Sequence, residues 1–326
     1  MILFFQYIIL LLFYSGISNY SLKGDSEEFN KKSFFKEISK ALKSQYYYFN
    51  KKSLSDYKNE FEAEYERIKS KEDLAKFINS YFTSLGDNHS KMLTINQTSQ
   101  ALSQNVKVSI PNLENSSDGT FYILVPKLHS MNDSVNKSFS SSIRKQLLLQ
   151  VDSTSKGLII DLRGNHGGDF RAFISAFSIL FPDQTLFRTL SKEGKETIHL
   201  INNKEYYVVN NNLKTNRIAG KPKSNKNSNL ENIPLVVLID GETSSSAEWL
   251  SYSLKKRKNT TLIGQPTKGL MDGNTVFKFS DNSLIFFVKS VVVEDLPNNS
   301  VVKNVTPNII SDGDNIIDLA KKKLCY

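Results

Sequence analysis

Three short segments of the sequence place polar or glycine residues directly after an apolar run. They read LGDNHS at 85–90, GLIIDLRGNHGG at 157–168 and LIDGETSSSAEW at 238–249. In α/β proteins, functional side chains collect at such element ends, because rigid strands and helices hold the loops that follow them. We therefore expect these three segments to carry whatever chemistry the protein performs.

The third segment supplies hydroxyl groups at the predicted start of a helix, and the first supplies a histidine. A serine becomes a nucleophile when a base removes its proton and N–H groups hold the oxyanion. Ser245 and His89 are candidates for nucleophile and base, and the Gly167–Gly168 turn offers backbone N–H groups. The residues alone leave alternatives open: an ordinary N-cap at Ser245, a simple tight turn, and a structural ion pair between Asp161 and Arg163.

A metal enzyme is a rival interpretation that the histidines raise. They are dispersed at positions 89, 129, 166 and 199, and none has the HExxH spacing of a helical zinc site. The single cysteine, Cys325, permits neither an intrachain disulfide nor a cysteine-based zinc site. We therefore predict no metal and no cofactor.

Hydrophobic periodicity predicts the elements that hold the three segments. Ser70 begins a capping-box pattern, and apolar residues then recur at helical spacing up to Gly86. Two further helical patterns precede it, and together they predict a helical N-terminal cap at 31–90. From residue 91 to 326, short apolar strands alternate with helices, which is typical of a mostly parallel sheet. The Asn- and Lys-rich stretch 191–232 is predicted to be a flexible insertion.

Composition and charge narrow the class of protein. Hydrophobic residues make up 39% of the chain, enough for a substantial core, and the net charge of +9 is scattered in short lysine runs. Without a basic stripe interleaved with aromatics, nucleic acid is not a predicted partner. The apolar run at 2–17 predicts a signal peptide or membrane anchor at 1–20, followed by a linker at 21–30. We therefore expect a secreted protein or one anchored at the extracellular face of the membrane.

In this order and spacing, the segments resemble the tail-specific or C-terminal processing protease family, which includes the tricorn core protease. The stretch 157–168 matches the pattern GLIIDLRxNxGG, and the family's GxPTxG pattern matches residues 264–269. The family's SxxE turn places the nucleophile three residues before an acid, which gives Ser245 and Glu248 here. An upstream LxDxHS pattern of its histidine-using members matches the positions Leu85, Asp87, His89 and Ser90.

The resemblance implies a mixed α/β fold, with a helical cap on a protease core like that of ClpP and crotonase. It implies a Ser245–His89 catalytic pair and an oxyanion hole of backbone N–H groups from Ser246, Gly167 and Gly168. Two positions depart from the family. Leu270 replaces the lysine of the Ser–Lys branch, which favours the histidine branch, and Val301 replaces a glutamate that supports the base. Asp87 and Ser90 are then the candidate supports for His89.

The resemblance also implies a substrate class. No PDZ-like module is evident between His89 and Gly157, and the signatures at 161–169, 182–187 and 243–248 are similar to those of membrane-anchored members that confer lantibiotic resistance. This similarity implies a short peptide substrate, such as the C-terminal tail of a lantibiotic like nisin. An inactive member that binds and sequesters such a peptide, as an immunity protein, is the alternative that Val301 leaves open.

Overall fold

The structure is a computed structural model that describes residues 30–49, 51–98, 109–128, 130, 132–210, 213–216, 230–279, 283–295 and 299–325. The predicted signal or anchor at 1–20 and nearly all of the linker at 21–30 lie outside these residues, as does His129. Within the described part of the chain, no helix combines the length and the apolar character needed to cross a bilayer.

The helices that form the framework are three near the N-terminus and four in the remainder. They are α1 Lys31–Gln45, α2 Lys51–Glu64, α3 Lys71–Ser84, α4 Asp133–Gln150, α5 Phe170–Phe177, α6 Ser246–Lys255 and α7 Ile316–Leu324.

The strands are β1 Lys91–Leu93, β2 Glu114–Asn115, β3 Thr120–Leu124, β4 Gly157–Asp161, β5 Gln184–Ser191, β6 Glu196–Asn202, β7 Glu205–Asn210, β8 Leu213–Asn216, β9 Leu235–Ile239, β10 Thr260–Gly264, β11 Asp272–Lys278, β12 Leu284–Val293 and β13 Ile309–Ile310.

The chain divides into two compact units. Of the described residues, those within 30–98, Leu190–Gly194 and 272–291 belong to the first unit, and those within 109–189, Lys195–Met271 and 292–325 belong to the second. Each unit contains strands or helices from both early and late parts of the sequence.

The first unit combines α1, α2 and α3 with the β11–β12 hairpin, and β1 pairs antiparallel with β12. The capping box at the start of α3 forms as predicted: Ser70 Oγ accepts the N–H of Asp73, whose carboxylate accepts the N–H of Ser70. Large buried aromatic side chains, Tyr46, Tyr57 and Phe82 among them, fill its core. The helices of the predicted cap therefore share a core with a hairpin from about 200 residues later, Asp272–Val291.

The second unit contains a sheet in the order β13-β10-β9-β4-β3-β2, in which all neighbours are parallel except β2 and β3. Every residue of β4 and β9 is buried. Apolar side chains on one face pack with α7, and those on the other join the main core. Because both faces of these strands are covered, consecutive residues are apolar at 158–160 in β4 and at 235–239 in β9. The predicted mixed α/β fold with a mostly parallel sheet is confirmed.

The expectation of a flexible insertion at 191–232 is wrong for residues 196–210, where β6 and β7 form an antiparallel hairpin. Asn203 and Lys204 join the strands with positive φ angles of 51° and 62°, as a two-residue hairpin turn requires. Ile201, Tyr206 and Val208 are buried in the core of the second unit. The Asn- and Lys-rich residues that follow the hairpin dominate the composition of 191–232 and hide these strands in the sequence.

Candidate active site

The second and third segments of the sequence meet at the carboxyl ends of two neighbouring strands. β4 and β9 are parallel partners, so the turns that follow them lie side by side. The Thr243 hydroxyl donates to the Leu162 carbonyl at 2.9 Å, and the Ser244 N–H donates to the Asn165 carbonyl at 3.0 Å. The Asp240 carboxylate also accepts the N–H of Gly164 at 3.0 Å. These bonds fix the turn at 162–168, called the glycine turn, against the turn at 240–246, called the serine turn.

Asp161 and Arg163 form the structural ion pair that the sequence left open. Arg163 Nη2 lies 2.7 Å from Asp161 Oδ2, and its Nε lies 3.0 Å from Oδ1. The Tyr122 hydroxyl donates to the same carboxylate at 2.9 Å. The pair therefore stabilises the end of β4.

Ser245 has a backbone conformation that a serine rarely adopts, with φ +56° and ψ −125°. It is the N-cap residue of α6, but capping does not require this geometry. Four other N-caps, Asn30, Ser70, Asn132 and Asp169, have ordinary extended backbones, and Asn315 at the start of α7 also has a negative φ. A strained serine between a strand and a helix is typical of a nucleophile elbow, and such strain concentrates at active sites.

Glu248 holds the strained turn in place. Its carboxylate accepts the N–H of Ser245 at 2.8 Å and the N–H of Leu270 at 2.7 Å through Oε2. Oε1 accepts the Gly269 N–H at 2.8 Å and the Thr267 hydroxyl at 2.6 Å. The side chain is fully buried, so these four bonds take the place of water.

Burial raises the pKa of the Glu248 carboxyl above its ordinary value. The hydrogen bond from the Thr267 hydroxyl opposes this shift most strongly, followed by those from the three backbone N–H groups. The acid that the sequence pattern places three residues after the nucleophile is thus a structural support that joins the serine turn to the segment after β10.

The Gly167–Gly168 turn packs directly against Ser245. A Cβ on Gly167, whose φ is +90°, would lie 3.0 Å from both the Ser245 Cβ and the Ser246 nitrogen. The Ser246 hydroxyl donates to the Gly168 carbonyl at 2.7 Å. The Gly167 N–H already donates to Asn165 Oδ1 at 2.8 Å, and the Asn165 amide donates to the Val125 carbonyl at 2.9 Å. Because the Gly167 N–H is already bonded, only the N–H groups of Gly168 and Ser246 remain as candidates among the three predicted oxyanion donors.

We expect Gly167→Ala to be far more damaging than Gly164→Ala in the same turn. Both glycines have positive φ angles, which cost an alanine about 1 kcal/mol or more. Only at Gly167 would the added methyl also collide with backbone, 2.9 Å from the Ser244 carbonyl oxygen, whereas nothing lies within 4 Å at Gly164. Urea unfolding and hydrolysis assays on both variants test this, and equal effects would contradict the packing argument.

In the first unit, Asp87 organises the turn that carries His89. Its Oδ1 accepts the N–H groups of His89 and Ser90 at 2.8 and 2.9 Å, and its Oδ2 accepts the hydroxyls of Tyr46, at 2.8 Å, and of Ser90. The Ser90 hydroxyl also accepts the Val288 N–H at 2.9 Å. Burial, and then the Asp87 charge, raise the pKa of Tyr46, which keeps this donor protonated.

The supporting roles predicted for Asp87 and Ser90 therefore take a different form. Neither forms a hydrogen bond to the imidazole ring of His89, because both are engaged with backbone and hydroxyl groups of the turn. Val301, at the expected acid position, pairs with Val293 and has no ionisable group. The ring atom Nδ1 of His89 is buried and has no hydrogen-bond partner among the described residues.

Burial lowers the pKa of His89 from 6.5 to about 4, and the negative charge of Asp87 opposes this shift. The imidazole is consequently neutral at physiological pH. A neutral imidazole has a free lone pair, which is the form that a general base needs.

This depressed pKa predicts that stability rises with pH between about 4 and 6.5. In that window the unfolded imidazole binds a proton and the folded one does not, so acid favours unfolding. His89→Gln removes this titration and should flatten the dependence, measured as urea-unfolding free energy at about pH 4.5 and about pH 7. Asn88→Gln, on the exposed part of the same turn, is the control. An unchanged slope in His89→Gln would show that His89 titrates normally.

The other histidines have structural surroundings. His166 Nδ1 lies 3.1 Å from the carbonyl oxygen of Glu242, and His199 Nδ1 lies 2.6 Å from the Tyr206 hydroxyl with its ring stacked on Phe187. Over the described ranges, no group of three or more His, Cys, Asp or Glu side chains is arranged to hold a metal ion.

The sequence profile of peptidase family S41 matches residues 122–311, more than half of the chain. The chain belongs to peptidase family S41. The match includes the glycine turn, the serine turn and the segment that supplies the donors to Glu248. The predicted resemblance to C-terminal processing proteases is thereby confirmed at the level of the family.

Two curated proteins are similar to this chain over part of their length. The nisin-resistance protein of Lactococcus lactis subsp. lactis is 28% identical over 194 residues, covering 59% of this chain and 57% of that protein. The carboxy-terminal processing protease CtpA of Bacillus subtilis is 31% identical over 152 residues, covering 45% of this chain and 28% of that protein. The matched region thus spans little more than half, or less, of these curated relatives.

Solved structures share the fold over nearly the whole chain. A lipoprotein from Streptococcus agalactiae superposes with a TM-score of 0.71 at 18% identity, covering 94% of this chain and 99% of that one. The photosystem II D1 C-terminal processing protease superposes with a TM-score of 0.59 at 14% identity, covering 91% and 97%. At these identities the superpositions establish the fold of the S41 family and nothing further about substrates.

Proposed function

We propose that this chain is a serine peptidase in which Ser245 is the nucleophile and His89 is the general base. The observation that carries the proposal is the strained backbone of Ser245, at the start of α6, held by the buried Glu248 carboxylate. Strain of this kind persists only where the surroundings maintain it, and an ordinary cap has no need of it. Membership of peptidase family S41 supports the same assignment.

In the proposed reaction, His89 removes the proton from the Ser245 hydroxyl, whose oxygen attacks the carbonyl carbon of a peptide bond. The N–H groups of Ser246 and Gly168 hold the negative oxygen of the tetrahedral intermediate. His89 then returns the proton to the departing amine, which leaves an acyl group on Ser245. Water, deprotonated by the same imidazole, hydrolyses this ester and restores the enzyme.

For the substrate, we propose a short peptide cut near its C-terminus, with lantibiotics such as nisin as the first class to test. The support is the similarity to the nisin-resistance protein and the signatures shared with lantibiotic-resistance members. We further propose that the apolar segment at 2–17 places the enzyme outside the cell, either anchored at the membrane or secreted, where it would meet such peptides.

The proposal is tested by incubating the purified protein with nisin, other lantibiotics and linear peptides, followed by mass spectrometry. We expect fragments from wild-type protein and none from Ser245→Ala. Each substrate should be cleaved at the same bond in repeated assays. Equal fragmentation by both proteins would overturn the assignment of Ser245.

A second candidate function is sequestration of a peptide by an inactive member of the family. It is favoured by the ring of His89, which has no carboxylate partner among the described side chains, and by Val301 at the acid position. The same experiment separates the two functions. Intact peptide bound equally by wild-type and Ser245→Ala protein identifies a binder, whereas fragments from the wild type alone identify an enzyme.

A further inference from the structure

Two buried polar atoms on neighbouring residues of the first unit lack hydrogen-bond partners among the described residues. They are Nδ1 of His89 and the carboxamide oxygen Oδ1 of Asn274, whose residue is 7% exposed. An unpaired buried polar group destabilises the folded state, so such atoms are rare and call for an explanation. These two are complementary, because Nδ1 is a donor in one tautomer of neutral imidazole and a carboxamide oxygen is an acceptor.

Strand register explains why the two residues are neighbours. Asn274 lies opposite Val288 in the β11–β12 hairpin, and the N–H of Val288 donates to the hydroxyl of Ser90, next to His89. The Asn274 amide nitrogen donates to the backbone carbonyl of His89 at 3.4 Å. The register of the hairpin shifts between Gly273 and Asn274, and bulges of this kind redirect a side chain beside functional sites.

We propose that Asn274 positions the imidazole of His89 through a hydrogen bond that is not formed in the structure: rotation of either side chain would let Asn274 Oδ1 accept from Nδ1–H. This bond fixes the tautomer in which Nε2 carries the lone pair, the nitrogen that would take the proton from Ser245. The inference rests on the proposed role of His89 as the base. The carboxylate of Asp87 cannot fill this role in the structure, because backbone and hydroxyl donors occupy both of its oxygens.

An amide is chemically suited to this role. A histidine tautomer is set by the hydrogen bond that its other nitrogen makes, and a carboxylate or a carbonyl-type oxygen serves equally as the acceptor. Asparagine orients histidine in proteases of the Cys–His–Asn type. Because the amide carries no charge, it would orient the ring without raising its proton affinity as a second carboxylate would.

The direct test is the tautomer of His89, measured on the full chain by nitrogen–proton NMR correlation with ¹⁵N-labelled histidine. His89→Gln identifies the His89 signals by their loss. We expect the Nδ1–H tautomer in wild-type protein and in Asn274→Asp, which retains the acceptor oxygen. Asn274→Leu, of similar size but without an acceptor, should shift the population towards Nε2–H. An Nε2–H tautomer in the wild type, or no change in Asn274→Leu, would overturn the proposal.

Kinetics on a cleaved peptide provide the second readout. Asn274→Leu should lower kcat by up to about 10⁴-fold with KM unchanged, as loss of the correct tautomer does in serine proteases. Asn274→Asp should recover most of the rate, and its added charge should move the acid limb of the pH–rate profile upward. Asn88→Leu, exposed on the same turn, is the matched control. A rate in Asn274→Asp as low as in Asn274→Leu contradicts positioning through the oxygen.

The two readouts keep this inference separate from the peptidase proposal. The NMR measurement needs no substrate, so a protein that cleaves no peptide still reports whether Asn274 sets the tautomer. Hydrolysis that depends on Ser245 but is indifferent to Asn274→Leu, with an unchanged tautomer, would remove the inference and leave the peptidase proposal standing.

Discussion

The variant Ser245→Gly is expected to be about 1 kcal/mol more stable than the wild type. It should also lose about three to six orders of magnitude of turnover. Glycine adopts φ +56° and ψ −125° without the steric conflict that a Cβ causes, so the substitution releases strain at this position. The same substitution removes the hydroxyl that would attack the substrate. A gain in stability together with a loss of activity is the behaviour expected of a strained catalytic residue.

Ser245→Ala is the matched control, because alanine retains the Cβ and thus the strain but lacks the hydroxyl. Its stability should lie within about 0.5 kcal/mol of the wild type, while its turnover should be as low as that of Ser245→Gly. Urea unfolding of the three proteins and peptide hydrolysis measure both effects. A glycine variant less stable than the alanine variant would show that the turn stores no strain.

Glu248→Ala is expected to destabilise the protein by about 3–5 kcal/mol and to abolish turnover. The substitution leaves four donors without an acceptor in a fully buried site: the N–H groups of Ser245, Gly269 and Leu270 and the Thr267 hydroxyl. It also removes the group that ties the serine turn to the segment after β10. Turnover should fall even under conditions in which the variant is folded, because Ser245 would relax from its strained conformation.

Two variants make this prediction specific. Glu248→Gln keeps the shape and one acceptor oxygen but presents an amide to donors, so its loss of stability should be intermediate. Glu242→Ala removes an exposed acid from the same turn. The ion pair of Glu242 with Lys268, at 3.1 Å, should contribute less than about 1 kcal/mol to the free energy of unfolding. Midpoints of urea unfolding, followed by circular dichroism, measure all three. Comparable losses in Glu242→Ala and Glu248→Ala would contradict the role assigned to Glu248.

Most of the framework of the site was predictable from local sequence. The apolar runs LII at 158–160 and LVVLI at 235–239 indicate buried strands, and the Ser70 capping box marks the start of α3. Paired strand ends then required that the glycine turn and the serine turn meet. Asn165 and Thr267 were missed as site residues, although both lie within the patterns 157–168 and 264–269 that carried the resemblance.

Other parts of the site gave no local signal. The hydrogen bond from Tyr46 to Asp87 joins residues 41 positions apart in the chain, and the one from Asn274 to His89 joins residues 185 positions apart. The stretch 191–232 resembles an insertion in the sequence because its Asn- and Lys-rich residues outside the hairpin outweigh the two strands at 196–210. The sequence proposes Asp87 and Ser90 as supports for the ring of His89, but in the structure their hydrogen bonds stabilise the turn instead.

The sequence by itself determined which residues have reactive groups and where strands, helices and tight turns begin and end, because burial and backbone torsions are written into local periodicity and residue type. The tertiary structure decided which acceptor each buried donor meets. Glu248 became a support, and Asn274 became the neighbour of His89, because strand register and the close approach of separate turns set those partners. Such pairings depend on packing between distant parts of the chain, which no local pattern encodes.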